Sequence, residues 1–237
     1  LNWDQIDYSK LNKASKDAID WTKVNLKKAI QSDTFDIAFV DWLELNQSKA
    51  AAKSYKAIDW GKVSISSDVS AQLDYSKVDF QKFSPLSLKD INDLNFSTLG
   101  KNYKKLNWEE IDYSKLNNVS KDAIDWAKVN LKKATQSDTF DMSYVDWSEL
   151  NQSKAAAKSY KDIDWANVSI SSDVYAELDY SKINFNKLNL KKLENINDIN
   201  FASLGKNYKK LNWDQIDYSK LNKASKDAID WAKVNYK

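Results

Sequence analysis

The sequence predicts a repeat solenoid: short extended pentads wound into a β-solenoid, with short helices or turns as connectors. Three observations predict it. The chain repeats at a period of 105 residues, so that Leu1–Lys105 aligns without gaps on Leu106–Lys210 and Leu211–Lys237 opens a third copy. Within each copy an aliphatic residue, an Asp or Asn, and an aromatic recur as a three-residue phrase. Many of these phrases open five-residue words, as in LNWDQ-IDYSK-L. A period of two puts Ile19 and Trp21 on one face and Asp20 on the other, whereas a helix would separate residues two apart by about 200°. Extended structure keeps the two largest apolar groups together, so the pentads read as strands.

In chain order, the first subrepeat (1–34) carries phrases starting at Leu1, Ile6 and Ile19, with the connector NKASKDA between them. The second (35–72) starts phrases at Phe35, Val40 and Ile58 and holds the connectors NQSKAAAKSYKA and SISSDVSAQ. The third (73–105) starts them at Leu73, Val78 and Leu94, with SPLSLKDINDL before the last and GKNYKK after it. Each triplet is a tandem pair five residues apart followed by a single. The second copy repeats this plan as 106–139, 140–177 and 178–210, and 211–237 is a partial third copy. The whole reads as one continuous solenoid. Connector segments that begin with Ser or Asn offer helix caps. SKAAAKSYKA and SPLSLKDINDL are the best helical candidates, with Pro85 suited to a first turn. Three glycines and one proline are too few for glycine-built corners. An all-α solenoid of short helices is therefore the alternative fold.

Two copies in one chain show which places tolerate change. Leu43 becomes Ser148, Ser70 becomes Tyr175 and Pro85 becomes Leu190, whereas every Trp of the first copy is Trp in the second. The third copy differs from the first only at Thr22 against Ala232 and Leu26 against Tyr236. The expected structural core stack is therefore Trp3, Trp21, Trp42, Trp60, Trp108, Trp126, Trp147, Trp165, Trp213 and Trp231. Burying each indole removes 150–250 Å² from water, worth about 4–6 kcal/mol at roughly 25 cal/mol per Å².

Ile6-Asp7-Tyr8-Ser9-Lys10 resembles the pentapeptide-repeat family, whose words run small or aliphatic, Asp or Asn, Leu or Phe, Ser or Thr, then a variable position. The resemblance implies a solenoid with the aliphatic and the aromatic pointing inward from short extended segments. This chain departs from the family in using Ile, Leu or Val and then Trp or Tyr. Two bulky groups per word imply a wider cross-section than a narrow square coil.

Composition narrows function. The chain has no cysteine and no histidine, which removes disulfides, thiolate sites, the commonest general base and the usual partner of a serine nucleophile. No enzyme, cofactor or metal centre is expected. The stacked Asp positions do not come with the Gly-rich nonapeptide of calcium-binding β-rolls or with an EF-hand loop. Charges of 36 basic and 34 acidic residues alternate along the chain, which argues against nucleic acid as partner, and no apolar run is long enough for membrane insertion. The expected function is that of a structural or adhesive repeat protein, extracellular or at a bacterial cell surface, forming an elongated rod or filament. Its expected partner is itself, head to tail or laterally. The alternative is a binding module that takes a surface polysaccharide or a protein through exposed Trp or Tyr.

Overall fold

The computed structural model describes residues 1–234, and the last three positions of the partial third repeat, 235–237, lie outside the described residues. Two compact units divide the chain, Leu1–Ile124 and Asp125–Lys237. The described residues form eleven α-helical segments of four to seven residues and eighteen 3-10 turns. No sheet is present among them, and their only β pairs are isolated bridges, Ile65 with Leu88 and Ile170 with Leu193. The expected β-solenoid is therefore corrected to a fold of short helices and capped turns.

The anatomy of one word explains the difference. In Ile6-Asp7-Tyr8-Ser9-Lys10, Ile6 (φ −78°, ψ 128°) and Asp7 (φ −83°, ψ 91°) are extended, and Tyr8–Lys10 then closes a 3-10 turn. Leu11 returns to the extended region and donates its N–H to the Tyr8 carbonyl at 3.3 Å. A two-residue extended stretch does place the aliphatic and the ring on one side. It is too short to build a ladder, and the three residues after it satisfy their own backbone by i→i+3 bonds.

The acid in second place drives this choice. Asp20 accepts from the Thr22 N–H at 3.1 Å, and its other oxygen pairs with Lys23 at 2.6 Å. The same arrangement caps words at Asp112, Asp217 and Asp230. An Asp that caps the next turn, with Lys one turn on, stabilises a helical start and would contribute nothing to a strand.

Longer connectors become helices for the expected reasons. Asn12 accepts from the Ser15 N–H to open Lys13–Asp17, and Ser66 accepts from the Val69 N–H to open Ser67–Gln72. The segment Ala51–Ala57 buries Ala51, Ser54 and Tyr55 on one face. SPLSLKDINDL forms two 3-10 turns, Pro85–Ser87 with Pro85 at its start and Ile91–Asp93. Gly100 and Gly205 take φ near +50°, where other residues are strained, and each opens a GKNYK turn.

Within each unit, successive coils are joined by side chains reaching backbone. In the first unit Ser32 Oγ donates to the Ile6 carbonyl at 2.8 Å, Asn46 Nδ2 to that of Gln72 at 2.8 Å, Ser87 Oγ to that of Trp60 at 2.9 Å and Asn102 Nδ2 to that of Tyr75 at 3.1 Å. In the second, Asn151 Nδ2 donates to the Glu177 carbonyl at 2.9 Å and Asn197 Nδ2 to that of Lys220 at 3.0 Å. These links span 23 to 27 residues, a step shorter than any of the three subrepeats.

Candidate functional site

The repeated word is the most regular chemical feature of the molecule. Six of its indoles and several of its phenols share a bond that sequence reading missed. The indole N–H of Trp42 donates to the Ile37 carbonyl at 2.9 Å, that of Trp60 to Tyr55 at 2.9 Å and that of Trp108 to Tyr103 at 2.8 Å. In the second unit Trp147, Trp165 and Trp213 do the same to Met142, Tyr160 and Tyr208. Tyr8 and Tyr113 likewise return their hydroxyls to the carbonyls of Trp3 and Trp108 at 2.9 and 3.0 Å. In each of these bonds the partner lies five residues back, one word length. A buried indole or phenol needs such a partner, which explains why these places hold Trp and Tyr. The signal was available as the coincidence of a five-residue period with polar-tipped rings.

The expected core stack distributes unevenly. Trp21, Trp42, Trp60, Trp108, Trp126, Trp147, Trp165 and Trp213 are buried, Trp3 is half-buried and Trp231 is 42% exposed. Phe35 lies against Trp21 and Phe140 against Trp126, each at 6.4 Å between ring centres. The Trp231 ring lies against Tyr218, at 5.9 Å.

A second missed feature is a buried polar link that recurs in both long copies. Tyr55 donates to Asn46 Oδ1 at 2.9 Å and accepts from the Asp74 N–H at 2.7 Å. Tyr160 repeats this with Asn151 and Asp179 at the same two distances. Burial pushes both phenols up to about 12, against the opposing pull of their hydrogen bonds. Burial also raises Tyr113 and Tyr175.

Seven of the word acids, Asp7, Asp20, Asp74, Asp112, Asp179, Asp217 and Asp230, are held below the usual carboxylate range. For Asp7 and Asp112 the main cause is the serine two residues on, and the lysine three on adds to it. For Asp20, Asp179 and Asp230 the lysine leads. In Asp74, burial works upward, and Lys77 and Ser76 outweigh it. These are exposed or half-exposed pairs one turn apart and add little to stability, because water screens them.

Among the described residues no group of three or more acidic, histidine or cysteine side chains converges on a metal position. None of the described helices is long and apolar enough to cross a membrane. No protein-family model, no curated protein and no solved structure matches the chain. The resemblance to pentapeptide repeats is corrected on both counts, by the missing family match and by words that fold as capped 3-10 turns instead of strands.

Proposed function

We propose that the chain is a non-catalytic structural or adhesive repeat protein of an extracellular or bacterial cell-surface setting. Its coils form an elongated rod or filament and associate with further copies, end to end or side by side. The observation that supports this is the identity of the inter-coil links in the two long copies: Asn46 to Gln72 and Asn151 to Glu177, with Tyr55 and Tyr160 locking the same asparagines. A frame whose coils bind mainly their neighbours lengthens by duplication without redesign. Electron microscopy and small-angle scattering at neutral pH test the reading. Rods or filaments are the expected result, and compact globules would refute it.

The second reading, a binding module for polysaccharide, is favoured by one surface feature of the first unit, a groove lined by five lysines. The exposed aromatic row that such a module was expected to use is not what the fold supplies, since eight of the ten indoles are buried.

A further inference from the structure

We propose that the groove between residues 22–27, 50–57 and Lys82 binds an anionic polysaccharide. The groove has a volume of about 680 Å³, and Lys23, Lys27, Lys53, Lys56 and Lys82 line it. No carboxylate and no aromatic ring joins the lining. Lys23 is paired with Asp20 and also feels Glu44. The other four make no ion pair among the described residues, although acids nearly equal to the bases in number are spread over the rest of the chain.

The spacing of these lysines shows how a balanced sequence produces a cationic groove. Lys27 and Lys53 lie 26 residues apart, as do Lys56 and Lys82, and 26 is the separation that the Ser32–Ile6 and Asn46–Gln72 links bridge. Lys53 and Lys56 stand one turn apart on the helix Ala51–Ala57. The coil step therefore superposes lysines that alternate with acids along the chain. Like charges gathered without counter-charges oppose folding, and a bound polyanion relieves that repulsion. The remaining polar lining, Thr22, Asn25 and Ser54, offers hydroxyl and amide groups to sugar hydroxyls. Single-stranded nucleic acid would need a ring on which bases stack, and none faces the groove.

The second copy supplies an internal control. Its lysines recur at Lys128, Lys132, Lys158, Lys161 and Lys187, but Asp162 stands in the place of Ala57 and Ala127 in that of Thr22. An acid added among the lysines weakens attraction for a polyanion, so the groove of the first copy is expected to bind more tightly than the corresponding residues of the second.

The inference rests on the second reading of function, and its test separates the two. Labelled dextran sulfate is titrated into the full chain and monitored by fluorescence anisotropy at low and at high salt, with neutral dextran and DNA oligonucleotides, single-stranded and duplex, as parallel probes. Dextran sulfate is expected to bind, to weaken with salt, and to exceed the other probes. Replacing Lys53, Lys56, Lys158 and Lys161 by Gln should weaken it by at least about tenfold, each lost pairing being worth a few-fold. Replacing Lys101, Lys104, Lys206 and Lys209 by Gln removes the same charge elsewhere and should change it by less than about threefold. Ala57→Asp should weaken the tighter class of sites about fivefold, and Asp162→Ala should strengthen the other by a similar factor. Each of these two places one copy's residue in the other, so both are compatible with the fold. The inference is overturned if dextran sulfate does not bind, if the two lysine sets weaken it equally, or if DNA binds as tightly. Rods without affinity for dextran sulfate would sink the groove and leave the scaffold reading standing.

Discussion

Trp21 and Trp231 stand in the same word, Ile-Asp-Trp, and differ in how deeply they are buried. Trp21 is 2% exposed beneath Phe35, and Trp231 is 42% exposed. Truncating Trp21 to Ala removes nearly the whole buried area of an indole and leaves a void that surrounding side chains fill only partly, at a cost of about 3–5 kcal/mol. At Trp231 roughly half the area is already wet and water can occupy the vacated space, so the cost is about 1–2 kcal/mol. Guanidinium unfolding monitored by the helical ellipticity near 222 nm measures both, because ten indoles make fluorescence hard to assign. Trp21 belongs to Leu1–Ile124 and Trp231 to Asp125–Lys237, so any separation of the two transitions should show each variant shifting its own. Equal losses for the two variants, or a loss below about 1 kcal/mol at Trp21, would refute the reading that burial of its ring, against Phe35 among others, is what stabilises the word.

Tyr55→Phe removes a hydroxyl that serves both Asn46 and the Asp74 N–H and should cost about 1–3 kcal/mol in chemical unfolding, with Asn46→Ala costing at least as much. Gly100→Ala puts a side chain at φ +50° with no atom within 4 Å to clash with, so its cost of about 1 kcal/mol comes from backbone strain alone and should be matched by Gly205→Ala. Stability should fall at both ends of the pH scale. Asp7, Asp20 and Asp179 have folded pKa values below their ordinary 3.8, so their small contribution is complete above that value and is lost as pH falls through the lowered ones. Tyr55 and Tyr160 move from 10.0 to about 12, so their contribution is complete below pH 10 and is lost as pH rises from 10 towards 12, which thermal melts across that range would record.

The inward pairing of aliphatic and ring was legible in the sequence because it depends on two consecutive extended residues, which Ile6 and Asp7 do supply. The turn at Tyr8–Lys10 was not legible from periodicity. A strand and a capped 3-10 turn share the same opening, and only the carboxylate cap with the lysine three residues on distinguishes them. Caps on the connectors were readable at Asn12 and Ser66, since Asn and Ser before an Ala- or Lys-rich run have one dominant use. The coil step was hidden because phrase spacing is uneven, whereas the links that define it run from Asn and Ser side chains to distant carbonyls and leave no periodic mark. The lysine groove was hidden for the same reason: charges that alternate along the chain segregate only after coiling.

The links between coils have a mechanical consequence. A sheet pulled along its strands resists through many backbone bonds sheared together. Here the polar ties between coils are scattered: side-chain hooks such as Asn46 on Gln72 and Ser87 on Trp60, with short backbone bridges such as Ile65 with Leu88 and Ile170 with Leu193. Tension on the two ends of such a unit would load these ties one after another and not together, so a unit should give way in steps.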